Sequence, residues 1–277
     1  RGGCGRPGRT GANNGSGAVS GCPEGEDGSK GVGGRVRAAA EDIAALGGGT
    51  ALMDVKEPRH GSLGAATPEV WREVRRAVPA EVPCSAALGE LRDVTPEQIA
   101  SWRSSLAGYQ FAKLGLAGCG AVSSWQQQWQ DVLRELPLET SRVAVIYADW
   151  QSTGAPAPEE IFPAAVDSAC SAILLDTFGK ADGPLSAYLS QKELSQILGS
   201  ARAAGLITVL AGSLTLALTR ELLPLAPDFV AVRGAVCRAG RAGTVDETLV
   251  SGFAEILLST REGAHHFSPP AKTHFAA

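Results

Sequence analysis

From residue 51 onward, short continuous apolar runs alternate with longer stretches of helical spacing. The apolar runs are Ala51–Val55, Val82–Leu88, Tyr109–Leu114, Val143–Ala148, Ala172–Leu175, Ile207–Ala211 and Phe229–Val232. Helical patterns fall near Pro68–Val78, Thr95–Leu106, Val122–Leu136, Pro158–Ser168, Ser186–Ala204, Leu214–Leu223 and Asp246–Leu258. Another, Arg35–Leu46, leads the series and stops at Gly47-Gly48-Gly49, a glycine run suited to ending a helix. Strands that are apolar along their whole length are covered on both faces, which is the state of a parallel sheet flanked by helices. This α/β pattern predicts a (β/α)8 TIM-type barrel whose first strand precedes Val36. Only Gly31-Val32-Gly33-Gly34 is available there. The first strand is therefore expected to be weak or degenerate, with an open seven-stranded sheet as the alternative.

Composition divides the chain into three parts. Residues 1–34 are dominated by Gly, Ser, Asn, Arg and isolated Pro, which cannot build a core and read as a disordered or non-native N-terminal segment. Residues 35–260 form the expected catalytic barrel, and 261–277 a flexible tail in which His265 and His266 are expected to be solvated rather than metal-bound. Overall, 44% of residues are hydrophobic and 19% charged, enough apolar material for one large core. The net charge of −4 carries no electrostatic footprint for nucleic acid, and no basic run suggests a membrane surface. No apolar stretch is long enough to span a membrane. The chain opens on Arg1 with no apolar signal core behind it, which suggests a truncated or processed start and a cytoplasmic location. The six cysteines (Cys4, Cys22, Cys84, Cys119, Cys170 and Cys237) contain no CxxC pair and are expected as free thiols, with no metal and no cofactor. A homo-oligomer is the default expectation for a barrel.

Chemistry enters at the ends of the apolar runs. The first carries Asp54 and ends at Lys56, and the third carries Lys113. The fourth ends at Asp149, and the fifth at Asp176-Thr177 with Lys180 four residues on. The sixth ends at Gly212-Ser213 and the seventh at Arg233-Gly234. In parallel α/β folds these carboxyl ends converge on one face, where active sites form. A lysine set in apolar surroundings beside other cations loses its proton more readily, and the neutral amine attacks carbonyls to form a Schiff base. Carboxylates can then move protons during imine formation and enolisation. Asp54 and Lys56 are two apart on a strand and point to the same side. The plainer alternative is that Lys56 and Lys113 are ion-pair partners of Asp54 and Asp176. Ser62 and Gly64, in Gly61-Ser62-Leu63-Gly64 before a helix, could help cradle an anion. Gly212, Ser213, Arg233 and Gly234 have the placement of a phosphate grip after the last two strands, with Arg233 adding charge and a structural salt bridge as its alternative.

These segments also resemble a known family. Met53–Ala65 (MDVKEPRHGSLGA) is long and specific, and Tyr109–Gly118 (YQFAKLGLAG), Tyr147-Ala148-Asp149, Leu174–Lys180 (LLDTFGK), Leu210–Ser213 (LAGS) and Val232–Cys237 (VRGAVC) follow in order. Together, across roughly residues 36–258, they look like (5-formylfuran-3-yl)methyl phosphate synthase, also called 4-(hydroxymethyl)-2-furancarboxaldehyde-phosphate synthase. The resemblance implies a class I aldolase-like barrel and a carbon–oxygen lyase acting on phosphates. It would condense two glyceraldehyde 3-phosphate molecules into a phosphorylated furan aldehyde for methanofuran biosynthesis. By match, Lys56 falls on the Schiff-base lysine and Lys113 on the proton-transfer lysine. Asp54, Asp176 and Lys180 fall on other active-site positions. The N-terminus departs from the family, which opens with an apolar strand. The rival readings are another Schiff-base aldolase or lyase on a small sugar phosphate, a phosphosugar isomerase working through carboxylates, and an inert barrel used as a binding protein.

Overall fold

The computed structural model describes residues 31–36 and 44–259. Eight strands close into a barrel in chain order: β1 Gly31–Val36, β2 Leu52–Val55, β3 Cys84–Glu90, β4 Phe111–Gly115, β5 Ser141–Tyr147, β6 Ala172–Asp176, β7 Ile207–Leu210 and β8 Phe229–Val232. Every neighbouring pair is parallel. Each of the seven apolar runs holds a strand, shifted by at most a few residues.

The N-terminal boundary needs correction. Arg35 and Val36 belong to β1 rather than to a leading helix, and they pair with Asp54 and Val55 of β2. A division after Gly34 therefore falls inside a strand. Gly31 and Val32 pair with Phe229 and Val230 of β8, so β1 joins the two edges that an open seven-stranded sheet would expose. The segment is poor in side chains that pack, but its peptide groups still complete the ladders on both sides. Of the helix expected after it, residues 44–47 are described and helical. Cys4, Cys22, His265 and His266 lie outside the described residues.

The helices start where local chemistry satisfies their first amides. Thr67 caps Pro68–Ala77 and Thr95 caps Pro96–Ser105, each followed by proline at the first helical position. Thr95 with Gln98, and Ser190 with Glu193, form reciprocal capping boxes. The second box moves a helix start: the chain at Leu185–Ala187 is a separate 3-10 turn, and the long helix begins at Gln191 rather than Ser186. A short helix, Trp150–Thr153, follows β5 and carries no clear periodicity of its own.

Strand alternation sorts the side chains into two cores. Met53, Val55, Ala86, Leu88, Ile146, Ile173 and Leu175 point outward against helices that bring Trp71, Trp102 and Trp129. Ala87, Val143, Val145, Tyr147, Ala172, Leu174, Ala211 and Ala231 fill the barrel interior. Small residues inside the ring leave room for long polar side chains, and the Lys113–Asp54 ion pair occupies it. Cys84, Cys119, Cys170 and Cys237 are buried thiols, and burial pushes the Cys170 thiol up to about 12.

Candidate active site

Period-2 alternation on β2 turns Asp54 inward, and Lys56 continues the same face at the strand's carboxyl end. Asp54 lies beside Ser85 of β3, and Ala87 of β3 lies beside Lys113 of β4. This register brings three polar side chains together in the middle of the barrel. Lys113 Nζ forms an ion pair with Asp54 Oδ1 and donates to Ser85 Oγ at 2.8 Å. All three residues are buried. The same side chains line a small internal cavity of about 40 Å³ with Phe111, Leu174 and Val209.

Lys56 sits above this pair and is completely buried. Its Nζ donates to the carbonyl oxygen of Ser62 at 2.7 Å. The turn that supplies this acceptor is fixed at two further points. Ser62 Oγ donates to Thr177 O at 3.0 Å, and Glu57 N–H donates to Gly64 O at 2.9 Å. Ser62 and Gly64 thus hold the turn over Lys56, and Ser62 spends its hydroxyl on a carbonyl rather than offering it to an anion.

Across the mouth, Asp176 at the end of β6 accepts from Lys180 Nζ at 2.6 Å and from Thr177 N–H at 2.8 Å. Lys180 also donates to Thr177 O. Asp149 does not reach these lysines in any described hydrogen bond. Its two oxygens accept the amides of Phe178 at 2.8 Å and Gly179 at 2.7 Å, so it clamps the loop that carries Lys180.

Gly212 has φ of +93° and packs against Thr177, where a Cβ would meet the Thr177 amide nitrogen at 3.1 Å. Ser213 also lies in the left-handed region, with φ of 51°, and is exposed. Arg233 is buried and braces the loop after its own strand. Its Nε donates to Arg241 O at 3.0 Å and its Nη2 to Gly243 O at 3.2 Å. Gly234 opens a 3-10 turn directly after it.

Two residues outside the expected set complete the mouth. Tyr147, inside the barrel at the end of β5, donates from its hydroxyl to Glu90 Oε1 at 2.5 Å. Glu90 Oε2 accepts the Ala117 amide at 3.0 Å. Burial raises the Glu90 carboxyl above its ordinary value, while the bonds from Tyr147 and Ala117 pull it down. Burial, followed by the charge of Glu90, pushes Tyr147 well above the ordinary phenol range. The sequence signal for Glu90 was its place two residues after an apolar run, with Gly89 between. Among the described residues, no group of three or more His, Cys, Asp or Glu side chains is gathered as a metal site, and no helix is long and apolar enough to cross a membrane.

A family model described as 4-HFC-P synthase matches residues 35–254. The chain belongs to the 4-HFC-P synthase family. Among relatives, the (5-formylfuran-3-yl)methyl phosphate synthase of Methanobrevibacter smithii is 32% identical, over 78% of this chain and 94% of that protein. That of Methanopyrus kandleri is 33% identical over 78% of this chain and 94% of its own length. Solved structures share the fold at low identity. Phosphoribosyl anthranilate isomerase from Thermus thermophilus has a TM-score of 0.56 at 17% identity, covering 83% of this chain and 99% of its own. Thiamine phosphate pyrophosphorylase from Pyrococcus furiosus has 0.54 at 12%, covering 83% and 96%. In this 4-HFC-P synthase family member, the residues singled out by the resemblance lie on β2, β4 and β6 or within a few residues after them.

Proposed function

We propose that the protein is a (β/α)8 barrel of the class I aldolase kind. On this reading it condenses two glyceraldehyde 3-phosphate molecules into 4-(hydroxymethyl)-2-furancarboxaldehyde phosphate, through a Schiff base on Lys56, in methanofuran biosynthesis. Family membership supports the product. The observation that carries the mechanism is the stack of Lys56 above the Lys113–Asp54 pair inside one barrel.

The neutral Lys56 amine attacks the carbonyl carbon of one triose phosphate, and water leaves as the imine forms. The iminium withdraws electrons from the adjacent C–H bond. The Lys113–Asp54 pair, held by Ser85, takes that proton on its Asp54 carboxylate, with Lys113 passing it on, to give an enamine. Attack on the second aldehyde, loss of one phosphate, ring closure and dehydration follow. Asp176 and Lys180 form a second charged pair at the mouth that can serve the later proton transfers. The retained phosphate is gripped by the backbone of Gly212, Ser213 and Gly234, with Arg233 shaping the loop beside it and supplying positive potential. Ser62 and Gly64 close the turn against Lys56, and entry of the carbonyl requires that turn to release its hold on Nζ.

The test is incubation with glyceraldehyde 3-phosphate, borohydride reduction and peptide mass mapping. A triose-phosphate adduct on Lys56, absent from Lys56→Ala, is expected. Isomerised triose without any trapped adduct would instead favour non-covalent carboxylate chemistry.

A further inference from the structure

We propose that Glu90 is a further catalytic residue of this site, the acid that protonates the hydroxyl group leaving in the dehydration step, with Tyr147 as the residue that positions it. The inference rests on the furan-forming reading above.

Three devices aim this carboxyl. First, the β3–β4 register shifts between Ala87 and Glu90: Ala87 lies beside Lys113, yet Glu90 lies beside Gly115. Three steps on β3 match two on β4, as in a bulge, with Gly89 at φ of +91°. Ala87 belongs to the barrel interior and Leu88 to the helix-facing core, so strict alternation would turn Glu90 outward. The irregularity instead lets its carboxyl meet the hydroxyl of Tyr147, whose ring lies inside. Second, Gly115 leaves the space the carboxyl fills: a Cβ there would sit 2.1 Å from Glu90 Oε2. Third, both oxygens are held, by the Tyr147 hydroxyl and the Ala117 amide. Bulges recur beside active sites because they re-aim one side chain without breaking the sheet.

Burial first, and then the charges of Asp93 of the following turn and Asp176 of β6, raise this carboxyl above its ordinary value, while the bonds from Tyr147 and Ala117 act the other way. Tyr147 of β5 faces it as a neutral phenol, and Cys119 of the loop after β4 feels its charge, with Arg92 close to that thiol.

The step balances without an oxidant or reductant. The enamine nitrogen lone pair moves in to form the conjugated iminium, the C–O bond breaks, and the departing oxygen takes the Glu90 proton and leaves as water. The Glu90 carboxylate then receives the C–H proton released as the ring becomes aromatic, which restores the acid.

Wild type, Glu90→Gln and Tyr147→Phe are given glyceraldehyde 3-phosphate across a pH series, and furan absorbance is followed beside borohydride trapping. Glu90→Gln is expected to slow furan formation by about 10²–10⁴-fold, with the trapped Lys56 adduct retained as a species heavier by water. It should also remove the alkaline limb of the rate profile. Tyr147→Phe should move that limb to higher pH, because the lost phenol bond favoured the carboxylate; a purely structural contact would not produce that shift. Furan formation at the wild-type rate in Glu90→Gln overturns the proposal, as does an unmoved limb in Tyr147→Phe. If the wild type makes furan but traps no adduct, the Schiff base on Lys56 falls while the rate and pH criteria still decide Glu90. If the wild type makes no furan, both fall.

Discussion

Lys113 and Asp54 form an ion pair whose side chains are only 3% and 4% exposed. At that depth neither charge is hydrated as it is in water, so each depends on its neighbours. Removing one member of a buried pair typically costs about 3–5 kcal/mol, whereas replacing both by apolar groups is often neutral. Lys113→Met should therefore unfold at clearly lower denaturant. Lys113→Met combined with Asp54→Leu should recover most of that stability, and neither variant should make furan. Guanidinium titration beside the furan assay separates the two effects. Full activity in the stable double variant would remove Lys113 from the proton path.

The raised Glu90 carboxyl makes stability depend on pH with a definite sign. The ordinary value is 4.5 and the folded value lies above it. Between the two, the folded chain binds more protons than the unfolded chain, so stability falls as pH rises. The contribution is complete below 4.5 and lost as pH passes through the folded value. Glu90→Gln cannot ionise, so its stability relative to wild type should improve as pH rises through that window. Denaturation midpoints measured from pH 4 upward check this, and a constant difference would refute the raised value.

Gly64 has a steric reason to be glycine. A Cβ at this position would lie 2.3 Å from Glu57 O and 2.8 Å from the carbonyl carbon of His60, both backbone atoms. The Glu57 amide already donates to Gly64 O, so the strands of this turn cannot part cheaply. Overpacking of this kind typically costs about 1–3 kcal/mol. Gly64→Ala should lose stability in that range and shift Ser62 away from Lys56, lowering the yield of trapped adduct. Unchanged melting and trapping would show that the turn relaxes without disturbing the lysine.

The strands after Ala51 were legible because a strand buried on both faces has to be apolar along its length, and each charged residue at its end then stands out. Lys56, Lys113 and Asp176 were found in that way. β1 was legible only as the weak strand required before Val36: Gly31-Val32-Gly33-Gly34 offers little to pack, and its place rests on backbone pairing with β2 and β8, which leaves no composition signal. Glu90 escaped because the rule of alternation fails at a bulge, and Tyr147 because a tyrosine inside an apolar run reads as core. Arg233 was read as a phosphate ligand from its position, but position does not reveal that the carbonyls of Arg241 and Gly243 take up its guanidinium.

Asp149 shows how a strand-end carboxylate can act without moving a proton. Its oxygens accept the amides of Phe178 and Gly179, the two residues before Lys180. Those bonds fix where the Lys180 stem begins, and Lys180 then reaches back to Asp176. In Asp149→Asn, one acceptor becomes an NH2 group facing an N–H donor. Hydrogen bonds to charged groups contribute about 1.5–3 kcal/mol, so the loss is large enough to loosen the loop without unfolding the barrel. Faster amide exchange at Phe178 and Gly179 is expected, with lower kcat/KM and an unaltered shape of its pH profile. A positioning role predicts that combination, because the geometry of Lys180 degrades while the titrating groups stay the same. If Asp149→Asn instead removed a limb of the profile and left exchange untouched, the carboxylate would itself be carrying a proton during turnover.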